Sequence, residues 1–389
     1  MPHTTPEKIF FYCYPPTLRG DGHYNTAFHY YQHAVIVLAE GLKKLGIECF
    51  ANINYWKLST DREEYLLRHD PSVTPDDCSV VVLEHTYFLC ADQSFPENLF
   101  HPKRNYRTVY LDLSDEDPRK DIFHSDFRQF DSIFKAHYRR NAWYPTNVHP
   151  FAFGLSERIL EAIDTVPDFY SRKQSLLVNF RDTKHAHTLR KFIRKQYSSK
   201  VQGILPIDDS VDIAVDPLSN EFDSKRYLMD ATDIMHFAQS SGRHFPTYYK
   251  RLRETAATAC FGGFFTTPFP HNQAAPLSRN LRRVITKLNL RSNRILQWDS
   301  WRLWEAMTAG SVAFHVDFDK YGFHLPVMPE NWKHYIGIDL DNMQESVDRI
   351  TQEPEILPKI SEAGRQWAME HYNPVAIASR FLKTIAQPL

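Results

Sequence analysis

The sequence predicts an α/β protein built from two parallel-sheet domains, and three observations lead there. The chain has 389 residues, too many for one ordinary core and enough for two domains of roughly 150 to 200 residues each. Short continuous apolar runs alternate with helical patterns, which is the rhythm of parallel strands joined by crossover helices. Around residues 156–172 that rhythm breaks and then restarts. The predicted organisation is therefore a first α/β domain over residues 1–155, a linker over 156–172, a second domain over 173–372 and a closing helix over 373–389.

In the first half, Lys8 to Tyr14 (KIFFYCY) is a continuous apolar run stopped by Pro15-Pro16, as expected of a buried first strand. A polar loop, Arg19-Gly-Asp-Gly-His-Tyr-Asn-Thr26, leads into a helix predicted from Phe28 to Leu45 and closed by Gly46. Ile47 to Trp56 reads as a strand, Asp61 to His69 as a charged helix, and Ser79 to His85 (SVVVLEH) as another buried strand. Arg107 to Leu113 and Ser132 to Ala136 are shorter strands separated by an acidic loop, and His149 to Ser156 is a last extended segment.

The second half opens with the strand Ser175 to Phe180, a polar loop from Arg181 to His187 and a basic helix from Thr188 to Tyr197. Ala231 to Ser240 and Tyr248 to Ala257 read as helices, with a strand from Ala259 to Phe265 containing Gly262-Gly263. A short helix then carries Trp301, Trp304 and Thr308 on one side, with its N-cap at Asp299 or Ser300 and its stop at Gly310. Asp299, Arg302 and Glu305 lie three residues apart, so the spacing places them along one edge of that helix. A buried strand to Val316, a short strand from Tyr335 to Ile338 and helices at Met343–Gln352, Ile356 to His371 and Pro374 to Ala386 complete the chain.

Composition narrows the function. Lys plus Arg (46) nearly equals Asp plus Glu (47), which removes any global electrostatic argument for a nucleic-acid partner or an anionic membrane surface. No stretch approaches the roughly 20 apolar residues that span a bilayer, and the first eight residues do not resemble a signal peptide, so a cytoplasmic location without a transmembrane segment is expected. Five cysteines with no CxxC pair point to reduced, packing side chains rather than a disulfide framework or zinc cluster. The 27 Phe, 20 Tyr and 7 Trp suit both an aromatic core and a cleft whose rings stack on sugars.

The segment Arg302-Leu-Trp-Glu-Ala-Met-Thr-Ala-Gly-Ser-Val-Ala313 resembles the "E-A-hydrophobic-x-x-G-x-V-P" segment of glycosyltransferases with two Rossmann-like domains facing a cleft, the GT-B architecture. The Asp-Ser-x-Arg that overlaps its start is closer to exostosin-like members. Glu362-Ala-Gly-Arg-Gln-Trp-Ala-Met-Glu-His-Tyr372 is similar to the closing helices of group 1 glycosyltransferases, and Tyr249 to Gly263 resembles the unit preceding their sugar-nucleotide loop. The resemblance runs from about Ser175 to the C-terminus. Two positions depart from it: Gln297 stands where retaining group 1 enzymes carry a second Glu, and Ala313 replaces the usual Pro, which leaves the stereochemical outcome open.

The resemblance implies transfer of a sugar from a nucleotide-diphospho-sugar donor to an acceptor hydroxyl of unidentified nature, with no cofactor beyond the donor. On it, Glu305 is the expected acceptor of ribose hydrogen bonds, and Arg181 and Lys184, after the strand ending at Phe180, stand where phosphate-binding basic residues fall; a solvated loop would look the same. Arg302 either neutralises phosphate or pairs with Asp299 or Glu305. Ser300 is the expected phosphate contact, Asp299 the helix cap, and Gly262 and Gly263 allow close backbone approach to a ligand or form a plain turn. In the first domain, Asp21 or His23 is the candidate general base, against an ordinary Gly-Asp-Gly turn, with Glu84 and His85 as second candidates. His185-Ala-His187 and Asp317-Phe-Asp319 lack the further ligands a metal site needs, so no metal is expected. The competing expectations are a catalytically degenerate binding or scaffold protein and another enzyme class on the same scaffold.

Overall fold

The computed structural model describes residues 6–14, 31–114, 125–179, 188–209, 230–240, 246–265 and 294–387. Two parallel sheets form, as the α/β reading of the sequence expects. The first is built from β1 (Lys8–Tyr12), β2 (Glu48–Ala51), β5 (Val80–Glu84), β6 (Arg107–Asp112), β7 (Ser132–Lys135) and β8 (Val148–Pro150), while β3 (Tyr55–Lys57) and β4 (Tyr65–Leu67) make a separate antiparallel pair. The six strands lie in the order β2-β1-β5-β6-β7-β8 with every neighbouring pair parallel. From β1 the chain moves outward to β2 and then returns to the other side of β1 at β5. The order therefore reverses between β1 and β5, and a crevice opens there beyond the carboxyl ends of the strands.

The second half repeats the design. β9 (Lys173–Leu177), β10 (Ile207–Asp208) and β11 (Thr255–Ala259) are followed by a short antiparallel pair, β12 (Phe264–Phe265) with β13 (Ile295–Leu296), and then by β14 (Val312–Val316) and β15 (Ile336–Ile338). The sheet order is β10-β9-β11-β14-β15, again parallel, with its reversal between β9 and β11. All residues of β5, β11 and β14 are buried, as strands covered by helices on both faces must be. These are two Rossmann-like domains.

Several elements differ from expectation. The charged helix predicted from Asp61 to His69 is instead the turn and second strand of the β3–β4 pair, tied by Tyr55 opposite Leu67 and by a Lys57–Glu63 ion pair at 2.6 Å. Its charges line a solvent-facing turn, and Leu66 and Leu67 bury themselves as strand residues. The predicted strand Ile47 to Trp56 divides into β2 and β3. The helix expected to reach Ala257 ends at Glu254, because Thr255 to Ala259 is a fully buried strand whose small residues read as helix formers. Short helices at His85–Cys90 and Glu157–Ala162 were not expected. The helix after the first polar loop is described from His33 to Lys44, and Phe28 to Tyr30 lie outside the described residues.

The last helix, Pro374–Ile385, packs on the first domain, against helix His33–Lys44. A Cβ on Gly41 would lie 2.0 Å from the Pro374 carbonyl oxygen and 2.7 Å from Ala378 Cβ, so the two helices touch nearly backbone to backbone. Phe381 adds a ring contact to Phe134 of β7 at 5.0 Å. Among the described residues, no helix is long and apolar enough to cross a membrane.

Candidate functional site

A helix that precedes a parallel strand begins at the carboxyl edge of the sheet, so helices Pro246–Glu254 and Trp301–Thr308 both start beside the crevice. The first turn of the former reaches Glu305 on the latter. Tyr248 donates its hydroxyl to Glu305 Oε2 at 3.0 Å, and Tyr249 donates to Oε1 at 3.2 Å. Glu305 is buried, and loss of water pushes its carboxyl above the usual range, although the two tyrosines and the charge of Arg302 act the other way. Each carboxylate oxygen has a second lone-pair direction, so a pair of ligand hydroxyls can add to the tyrosines without displacing them.

Ser300 is the N-cap of the Trp301 helix, with extended backbone (φ −156°, ψ 151°) and no side-chain capping bond. Its buried Oγ has no hydrogen-bond partner among the described residues. The cap expected at Asp299 is not formed. Asp299 instead accepts from Trp304 Nε1 at 2.8 Å and from the Phe153 amide at 3.0 Å, while its own amide donates to His137 Nδ1 at 3.1 Å. The three charges predicted on one edge therefore separate. Glu305 and Arg302 interact, and the Asp299 carboxylate bridges the Trp304 indole of the helix that follows it and the Phe153 amide of the first domain.

Gly262 and Gly263 follow β11 at the reversal point of the second sheet. A Cβ on Gly263 (φ +86°) would lie 2.0 Å from the Leu296 carbonyl oxygen, and one on Gly262 would lie 2.7 Å from that of Gln297. The close approach is thus made by the chain's own 296–298 backbone. Gln297 itself has φ +53°, an uncommon value for a side chain of its kind. The predicted helix stop holds: Gly310 (φ +67°) ends the Trp301 helix, and its carbonyl accepts from Ser361 Oγ at 2.5 Å and from Arg172.

Where the halves meet, buried Arg139 donates to the Ile295 carbonyl at 2.7 Å and the Tyr321 carbonyl at 3.2 Å. A ring cluster fills the same junction. Trp301 lies 5.5 Å from Tyr31, 5.5 Å from His33 and 5.3 Å from Phe153. His33 Nε2 donates to the Gly154 carbonyl at 3.2 Å, and its Nδ1 shares a 2.8 Å hydrogen bond with the Tyr31 hydroxyl.

On the first domain's carboxyl edge, Glu84 is buried at the end of β5 and accepts from the Thr86 amide at 2.9 Å; burial pushes its carboxyl up to about 8. His85 shares a 2.9 Å hydrogen bond with Tyr110. Behind them Asp112 pairs with the fully buried Lys135 at 2.8 Å; burial pushes the Asp112 carboxyl up, but Lys135, His85 and Ser114 outweigh it and hold it below its ordinary value. Asp21, His23, Arg181, Lys184 and the His185-Ala-His187 pair lie outside the described residues. Asp317 accepts from the Lys320 amide and Asn331, and Asp319 pairs with Arg140 at 2.8 Å, so both aspartates of that motif have partners within the protein. Among the described residues no three His, Cys, Asp or Glu side chains gather as metal ligands.

Tyr248, Tyr249, Tyr31 and His33 were not singled out in the sequence. The only signal for them was position: each lies in the first turn of a helix, or just ahead of one, at a carboxyl edge.

No protein-family model matches the chain, and no curated protein does. Solved structures do. The chain resembles an alpha-glucosyltransferase in complex with UDP-glucose and DNA containing an abasic site, with a TM-score of 0.52 and 12% identity over 98% of this chain and 100% of that one. It resembles an alpha-glucosyltransferase in complex with UDP and a 13-mer DNA containing a central A:G mismatch, with a TM-score of 0.50 and 11% identity over 98% and 100% of the two chains. The chain has the GT-B fold. At these identities the likeness concerns architecture, and in GT-B terms Glu305, its two tyrosines and Gly262-Gly263 occupy the carboxyl edge of the second domain while Glu84 and His85 occupy that of the first.

Proposed function

We propose that this protein is a glycosyltransferase that moves a sugar from a nucleotide-diphospho-sugar to an acceptor hydroxyl, with donor on the second domain and acceptor on the first. The observation that carries the reading is Glu305, a buried carboxylate at the carboxyl edge with both oxygens oriented by tyrosine hydroxyls and with capacity left for ribose hydroxyls. The GT-B fold supports it. Ser300, with an unmatched buried hydroxyl at a helix start, suits a phosphate oxygen, and Arg302, Arg181 and Lys184 supply positive charge for a diphosphate leaving group. Charge neutralisation by these residues makes the reaction metal-independent in this reading. The candidate general bases are Asp21 and His23, then Glu84 and His85.

Titration calorimetry with UDP, GDP, ADP and dTDP tests the reading first, followed by turnover of the matching nucleotide sugars with and without EDTA. UDP-glucose is the first donor to try, since it is present in the complex of a structural neighbour. Binding of one nucleoside diphosphate and release of it from the sugar nucleotide, unaffected by EDTA, is the expected result. Absence of binding to all four would refute it. A DNA duplex belongs in the acceptor panel because both neighbours' complexes contain DNA, although the charge balance here gives no general attraction to it. Against a catalytically inert scaffold, Glu305→Ala discriminates: a catalyst loses donor affinity while staying folded.

A further inference from the structure

Arg158 stands on helix Glu157–Ala162, the first helix after the chain leaves β8. Its side chain is only 12% exposed, and its Nε is buried with no hydrogen-bond partner among the described residues. The carboxylate it faces, Asp233, is 3.9 Å away, at the limit of an ion pair. A close pair would raise the affinity of Arg158 for its proton and lower that of Asp233. The opposite holds on both sides, because burial lowers Arg158 and raises Asp233 more than their mutual attraction compensates. A guanidinium stripped of water and left without a hydrogen-bonded anion is unfavourable unless a further group completes it.

Its surroundings indicate which group. Tyr249 and Tyr31 are both within electrostatic reach of Arg158, and Tyr249 is the residue that donates to Glu305 Oε1. Tyr31 belongs to the first domain and touches Trp301, the first residue of the Glu305 helix. The guanidinium therefore lies where the two carboxyl edges meet, next to the Glu305 network. A rigid fork of N–H donors in a water-poor site matches the oxygens of a phosphate group. We propose that Arg158 binds the diphosphate of the donor nucleotide, with Asp233 holding the side chain in place. The proposal rests on the donor reading above and adds a cation from the segment that joins the domains.

Calorimetry on the wild type, Arg158→Gln and Arg158→Lys tests it, using the nucleoside diphosphate that the wild type binds and the corresponding free nucleoside. Arg158→Gln is expected to weaken the diphosphate by on the order of tenfold or more and leave the nucleoside within about twofold, since a charged hydrogen bond to phosphate is what is lost. Arg158→Lys keeps a point charge, recovers part of the loss, and carries the test if the Gln variant fails to fold. Equal loss for nucleoside and diphosphate, or no loss for either, overturns the proposal while leaving the donor reading intact. Failure of the wild type to bind any nucleotide overturns both.

Discussion

Replacing Tyr248 and Tyr249 together by Phe removes both hydrogen bonds to Glu305 and leaves the rings in place. A hydrogen bond to a charged group contributes about 1.5–3 kcal/mol, so an ionised Glu305 stripped of two such bonds destabilises the fold by roughly 3–6 kcal/mol. The carboxyl has an escape, which is to take up a proton. Its affinity for protons is already raised in the folded state, chiefly by burial, and losing the tyrosines raises it further. For an acid whose folded pKa lies above its unfolded value, stability is greatest below the unfolded pKa and falls as pH rises through the folded one. The penalty of the double variant is therefore smaller at pH 5 than at pH 8. Urea denaturation at both pH values measures it. A loss under about 1 kcal/mol at pH 8, or one equal at both pH values, would refute the view that the tyrosines stabilise an ionised buried carboxylate.

Other expectations follow from the same structure. Asp299→Ala leaves the Trp304 indole and the Phe153 amide without an acceptor, at about 1–3 kcal/mol each, and a chemical-denaturation midpoint unchanged from wild type would contradict this. Glu40 is buried, accepts from the Glu157 amide at 2.9 Å, and is pushed up by burial to about 8. Glu40→Gln keeps an acceptor and is expected to remove a decline in stability between about pH 4.5 and 8, visible in melting temperatures across that range. Gly263→Ala meets a carbonyl oxygen, whereas Gly46→Ala (φ +80°) meets nothing within 4 Å. The second substitution thus reports the left-handed backbone cost of about 1–2 kcal/mol alone, and the first exceeds it in side-by-side unfolding curves.

The sheets were legible because apolar runs such as Val80–Glu84 and Val312–Val316 leave little choice once their length and flanks are counted. Thr255–Ala259 was not, since small residues satisfy a helix and a buried strand equally and only the neighbouring strands decide. At the site, Glu305 was readable from its segment, whereas Tyr248 and Tyr249 acquire their role from a helix 56 to 57 residues away in sequence. Asp299 shows the same limit. Local chemistry made it a cap, and a donor 146 residues away along the chain claimed it instead. Arg158 carried no local pattern at all, because its weak pairing among the described residues is a property of the assembled junction.

The contact between Pro374–Ile385 and His33–Lys44 fixes the order in which the molecule can be completed. During synthesis the first domain emerges before the second, yet the face around Gly41 and Phe134 stays bare until helix Pro374–Ile385 leaves the ribosome. About 330 residues separate the His33–Lys44 helix from the Pro374–Ile385 helix that covers it, and all of them must be made first. A chain stopped before Pro374 would thus damage the beginning of the protein, exposing an apolar helix face to chaperones and to other nascent chains.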